Sequence, residues 1–387
     1  MMRMNMKRHD MKSKNLITLL TAVSLIFATV GNAIACTTLM VMDANGNAYH
    51  ARTNEFSGLL PEGMTYFPAG TKIESVAPSG KQGLTFNTKY AMLGISINVL
   101  PNIKQTTLFD GANDQGLSFS GNWLTNSNSP PVGKDPSKIL SSADFGAWVL
   151  GNFKTVAEVK AAVLSEETEF WLPPVPSMGN IPVPFHYAVF DKKGGALVIQ
   201  FINGKKNVYD NPVNALTNGP AFPWHLENLN NYIFTNQDKN TGQLGKLKLA
   251  TEDAGNALMF LPSAETSQGR FVKAAFYANY VKKAKTQDDA VITLGHIMNN
   301  FDRPYNLTVD APGGTGDGVR GQTANSEVTA FTTMYDGSRN LMYFRTINAL
   351  NWSVLDINKL KGVTKSKTVS IYDINKAGAD SYNLFYK

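Results

Sequence analysis

Short runs of apolar and β-branched residues, broken at close intervals by Asp, Asn and Gly, dominate the chain from residue 36 onward. Such runs read as strands, and turn residues between two of them read as hairpins. Cys36 to Met42 is one strand, Asp43-Ala44-Asn45-Gly46 a turn, and Asn47 to Arg52 the returning strand. Further strands are expected around Met92 to Val99, Gly116 to Trp123, Tyr187 to Phe190, Leu197 to Ile202, Ala330 to Tyr335 and Met342 to Thr346. Several are joined by turns such as Asp191-Lys192-Lys193-Gly194-Gly195 and Asp336-Gly337. Helices are expected over Ser142 to Phe153, Gly269 to Lys283 and Asp288 to Asn299. Thr155-Val156-Ala157-Glu158 has the form of a capping box, opening a helix to about Ser165. Pro173, Pro174, Pro176, Pro182 and Pro184 predict a long surface loop from Trp171 to Pro184, one that could rim a pocket. Antiparallel strands interleaved with helices predict a layered α+β domain.

The first residues break this pattern. Arg3, Lys7, Arg8, Lys12 and Lys14 precede an apolar stretch from Leu16 to Val30, and Ala33-Ile34-Ala35 supplies the small-x-small pattern of a signal peptidase site. The apolar run falls short of the roughly 20 residues a spanning helix needs. Residues 1–35 are therefore expected to be a cleaved signal peptide, residues 36–387 one domain, and the mature protein periplasmic or secreted. The leader also changes the charge picture. It holds most of the formal net charge of +6, and the remainder is near +2. With no basic cluster interleaved with aromatics, nucleic acid is not an expected partner, and neither is a stable membrane anchor.

A single cysteine, Cys36, follows the predicted cut. It cannot form an internal disulfide, so its place in an exported chain calls for burial, lipid attachment or chemistry. As the first residue of a mature chain it would carry a thiol and a free α-amine within a few ångströms. With pKa values of about 8.5 and 7.7–8.0, the amine can take the thiol proton near neutral pH. Attack on an amide carbonyl would give a thioester, which water then hydrolyses. Two other fates fit the same position: S-acylation in a ligand-binding envelope lipoprotein, and a merely buried cysteine.

Cys36-Thr37-Thr38 through Arg52-Thr53-Asn54-Glu55 resembles the start of the choloylglycine hydrolase family, the N-terminal-nucleophile hydrolases that contain bile salt hydrolases and penicillin V acylases. Three further blocks follow in the family's order: Gly111-Ala112-Asn113-Asp114-Gln115-Gly116-Leu117, Leu216-Thr217-Asn218-Gly219-Pro220 with Trp224-His225, and Gly269-Arg270-Phe271. The resemblance implies an αββα four-layer sandwich, hydrolysis of linear N-acyl amides and, as is common in the family, a homotetramer. With no His-x-x-x-His, Cys-x-x-Cys or phosphate-cradling glycine loop, no cofactor or metal is expected. Candidate substrates are N-acyl homoserine lactones, penicillin V-like amides and conjugated bile salts.

Carried onto this chain, the resemblance makes Cys36 the nucleophile and Arg52 the cation that keeps its thiol reactive; by pattern alone Arg52 reads as a surface strand residue. Glu55 falls where the family usually has an aspartate that hydrogen-bonds the free amine. Its extra methylene moves the carboxylate by about 1.5 Å, so either the backbone compensates or Asn54 shares the role. Asn218 becomes the oxyanion-hole asparagine, although Asn218-Gly219 is also a common turn dipeptide. Arg270 becomes the arginine that bridges active-site residues. The last position, an asparagine in bile salt hydrolases, falls on Trp123 with Asn122 just before it. Adjacent strand residues face opposite ways, so the two candidate substrate-binding positions cannot both serve.

His50, His186, His225 and His296 lack metal-ligand spacing and read as structural. The glycine-rich run from Asp310 to Gly318 lacks a phosphate-cradling ending and reads as a flexible loop.

Overall fold

The opening hairpin follows from the alternation. In the computed structural model, which describes residues 35–56, 63–97, 104–176, 180–233, 241–305, 307–309 and 326–387, strand Ala35–Met42 pairs antiparallel with Ala48–Phe56. Asp43 closes the turn. Its Oδ1 accepts the N–H groups of Asn45 and Asn47, both at 2.8 Å, and Gly46 takes a φ of +79°. The predicted leader and the run from Asp310 to Gly318 lie outside the described residues, apart from Ala35.

This hairpin lies in the first of two large antiparallel sheets. One has seven strands, in the order Ala215–Leu216, Ala35–Met42, Ala48–Phe56, Ser326–Asp336, Leu341–Thr346 and Ser353–Asp356, with Thr308–Val309 also on Ser326–Asp336. The other has eight: Lys205–Asp210, Ala196–Ile202, Phe185–Asp191, Leu117–Trp123, Thr107–Asn113, Met92–Ile97, Gly63–Phe67 and Lys367–Ser370. Helix Phe145–Asn152 packs on the eight-stranded sheet; helices Ser267–Tyr280 and Gln287–Met298 pack on the seven-stranded one. The fold is therefore the α+β class expected, with two facing antiparallel sheets and helices outside.

The capping box forms, with Thr155 Oγ1 accepting the Glu158 N–H at 3.2 Å at the head of helix Val156–Leu164. Its return contact falls one residue early, with the Lys154 N–H donating to Glu158 Oε2. Helix Ser267–Tyr280 starts earlier than the periodicity suggests, because Thr266 caps it through the Gly269 N–H. It also ends at Tyr280 rather than Lys283, where Val281 turns to an extended conformation.

The described parts of Trp171 to Pro184, residues 171–176 and 180–184, are pinned down more than their prolines suggest. Glu169–Trp171 runs parallel to Ile139–Ser141, and Pro174–Val175 pairs with Ile181–Pro182. Leu172, Val175 and Val183 are buried in the core between the eight-stranded sheet and its helices. The prolines alternate with apolar anchors, and proline is tolerated in short edge ladders where no N–H is required.

Candidate active site

Alternation along the hairpin decides what reaches Cys36. Cys36 lies opposite Asn54 and Thr38 opposite Arg52, so Arg52 and Asn54 share the face that carries the thiol, between the sheets. Thr37 and Glu55 face the helix layer.

Arg52 Nη2 lies 3.1 Å from Cys36 Sγ, 2.9 Å from Asn54 Oδ1 and 3.1 Å from the Gly121 carbonyl. Its guanidinium stacks over Phe109 and Phe331, 5.0 and 5.6 Å from the ring centres. Sγ donates toward Asn54 Oδ1 at 3.8 Å. Burial pushes the Cys36 thiol up, the Arg52 guanidinium pulls it back down, and the nearby Glu55 carboxylate adds to the rise.

The backbone of Cys36 is held from the helix side. Arg270, in the first turn of Ser267–Tyr280, donates from Nη1 to the Cys36 carbonyl at 2.5 Å and to Thr37 Oγ1 at 2.8 Å. Its Nη2 donates to Asn218 Oδ1 at 2.8 Å, and the same oxygen accepts the Cys36 N–H at 2.8 Å. Two donors on Oδ1 fix the Asn218 amide, and its Nδ2 donates to the Trp123 carbonyl at 3.0 Å.

Cys36, Arg52, Asn218 and Arg270 therefore form one connected group. Glu55 is buried beside it, but its Oε1 accepts from Thr329 Oγ1 at 3.2 Å, and the acceptor at the Cys36 nitrogen is Asn218. A register shift falls between Asn54 and Glu55 against strand Ser326–Asp336, so the backbone departs from regular pairing where the longer carboxylate stands. Asn122 points between the sheets, donating to the carbonyls of Leu216 and Thr217 at 3.3 and 2.8 Å. The Trp123 ring packs edge-on against Phe185, with centres 6.2 Å apart, so its carbonyl rather than its indole meets Asn218.

The family model of linear amide C–N hydrolases, choloylglycine hydrolase family, matches residues 36–370 and so begins on Cys36. The chain belongs to the choloylglycine hydrolase family. It is 29% identical to a bile salt hydrolase/transferase of Clostridium perfringens, over 88% of this chain and all of that one. It is 24% identical to a penicillin V acylase of Pectobacterium atrosepticum, over 96% of this chain and 94% of that one. A solved cysteine-to-alanine variant of the conjugated bile acid hydrolase from Clostridium perfringens superposes with a TM-score of 0.71 at 26% identity, covering 87% of this chain and 96% of that one. This choloylglycine hydrolase family member is an amidohydrolase of the bile salt hydrolase and penicillin V acylase type.

Sequence reasoning missed how this member of the choloylglycine hydrolase family braces its asparagine. The Thr217 carbonyl is held by His186 Nε2 and the Asn218 carbonyl by His225 Nε2, each at 3.0 Å, while Ser267 Oγ accepts the Asn218 N–H at 3.0 Å. The tautomer of His186 is fixed by its neighbours. Phe222 N–H donates to Gln200 Oε1, the Gln200 amide donates to His186 Nδ1 at 2.7 Å, and so Nε2 carries the proton toward Thr217. Burial pushes His186 down to about 3 and His225 to about 4, so both stay neutral near pH 7. Lack of metal spacing marked these histidines as structural, and nothing in their spacing points to Asn218. Among the described residues no group of three or more His, Cys, Asp or Glu is placed to hold a metal ion.

Proposed function

We propose that the chain acts, once cut before Cys36, as an exported hydrolase of linear N-acyl amides with Cys36 as N-terminal nucleophile. The observation that carries this reading is the polar shell around both functional ends of one residue: Arg52 at 3.1 Å from the thiol sulfur and Asn218 Oδ1 at 2.8 Å from the main-chain nitrogen. In the uncut chain that nitrogen is an amide and cannot act as a base; cutting converts it to an amine. The amine takes the thiol proton, Sγ attacks the acyl carbon, and Asn218 Nδ2 and backbone N–H groups stabilise the developing oxyanion. Collapse expels the substrate amine with a proton returned from the Cys36 ammonium, leaving a thioester. Water adds to it, and the acid leaves as the thiol is restored.

Substrates of this class share a hydrolysable amide with an apolar or aromatic acyl group. N-acyl homoserine lactones and penicillin V-like amides come before conjugated bile salts in this proposal, on the exported location and on the sequence count that lands on Trp123, with Asn122 just before it, where bile salt hydrolases have an asparagine. The test is a panel of these three amides against the protein with Cys36 as its first residue and against Cys36→Ala. Turnover lost in the variant supports the reading; equal turnover in both refutes it. Intact mass of the exported chain separates a free Cys36 amine from a lipidated cysteine.

A further inference from the structure

Behind Glu55 lies a buried charged cluster that the proposed mechanism does not use. Thr329 is the cross-strand partner of Glu55, and its hydroxyl meets Glu55 Oε1 at 3.2 Å and the Phe301 carbonyl at 3.3 Å. The same hydroxyl oxygen accepts the Arg303 N–H at 2.8 Å, and the Thr329 N–H donates to the Arg303 carbonyl at 3.1 Å. The Arg303 side chain is buried. It pairs with Glu327 through Nη1 and donates from Nη2 to the Glu265 carbonyl, the carbonyl that Arg270 Nε also holds at 3.1 Å. Arg303 is thus tied to both halves of the site, through Thr329 to Glu55 and through Glu265 to Arg270.

We infer that Thr329 and Arg303 are positioning residues for Glu55: the hydroxyl, locked by the Arg303 backbone, fixes the place and the charge of the glutamate that stands where the family usually has an aspartate. This rests on the reading above that Cys36 is the N-terminal nucleophile, and on the buried Glu55 carboxylate, whose charge acts on its thiol. Three observations converge. The register shift before Glu55 draws Thr329 opposite it. The hydroxyl proton, shared between Glu55 Oε1 and the Phe301 carbonyl, reaches Oε1 at the shorter distance. Burial pushes the Glu55 carboxyl up on balance, while Arg270, then Arg303 and the Thr53 hydroxyl pull it back, so the cluster opposes the loss of its charge. A buried carboxylate that loses a hydroxyl donor takes up a proton more readily, and the thiol beside it, relieved of a nearby anion, then ionises at lower pH.

The test is a double-mutant cycle between Thr329→Val and Glu55→Gln in the protein beginning at Cys36, with Thr329→Ser as the hydroxyl-preserving control. Two readouts are followed: kcat and KM on penicillin V, and the pH profile of Cys36 alkylation by iodoacetamide. Thr329→Val should lower kcat about 10-fold with KM within about 2-fold, and move the alkylation midpoint down by about half a pH unit. Thr329→Ser should restore both, and in the Glu55→Gln background Thr329→Val should change neither. Equal effects in the two backgrounds, or Ser and Val variants alike, would overturn the inference. If the Val variant does not fold, by circular dichroism, Thr329→Ala is read in its place. If the unsubstituted protein cleaves no amide of the panel, the fault lies with the hydrolase reading. The alkylation cycle still decides this inference.

Discussion

Asn218 Oδ1 lies 2.8 Å from the main-chain nitrogen of Cys36, so the residue assigned to oxyanion stabilisation is also the acceptor at the atom proposed as the base. Arg270 donates to the same oxygen, which leaves the amide nitrogen facing the Trp123 carbonyl. Asn218→Asp keeps the shape and the acceptor but loses the Nδ2 donor. It is expected to lower kcat by about 100-fold or more, with a smaller change in KM, the size seen when one oxyanion donor is removed. Steady-state kinetics on any cleaved N-acyl amide would check this, and an unchanged kcat would remove Asn218 from that role.

Arg52 opposes two influences that raise the Cys36 thiol, burial and the Glu55 carboxylate. Arg52→Met leaves both unopposed. The alkylation rate of Cys36 should then rise with pH later than in the unsubstituted protein, with its midpoint about one unit higher or more, and Arg52→Lys should fall between them. Rates of iodoacetamide labelling from pH 6 to 10 are the measurement. A midpoint that stays put or moves down would show that the guanidinium does not govern the thiol.

His186 is neutral in the fold down to about 3, because burial opposes its charge. In the unfolded chain it titrates near 6.5. Between those values the unfolded state binds more protons. The stability associated with His186 is therefore complete above about pH 6.5 and is lost as pH falls, by up to about 1.4 kcal/mol per unit. His186→Phe removes the titration along with two hydrogen bonds. Its melting temperature should lie below that of the unsubstituted protein at pH 7.5, with the gap narrowing toward pH 5. A gap that widens on acidification would contradict the buried neutral form.

The amino-acid sequence by itself determined the opening hairpin, the α+β class and the position of Cys36. Each depends on local pattern: β-branched runs around an Asp-x-Asn-Gly turn, helical spacing behind Thr caps, and one cysteine after a small-x-small site. Period-two alternation puts Arg52 and Asn54 on one face of the returning strand, and the pairing of Cys36 with Asn54 makes that the face of the thiol. The contacts of Asn218 and Arg270 were not legible in this way, since they lie 182 and 234 residues from Cys36 and meet it only when the Ala215–Leu216 strand and the helix from Ser267 dock beside the first strand. The proline-rich segment misled for the same reason, because buried Leu172, Val175 and Val183 anchor it from a distance in sequence. His186, His225, Arg303 and Thr329 carry no spacing signal at all. Hydrogen bonding between distant segments places them, and only the packed layers bring those donors and acceptors within 3.2 Å of one another.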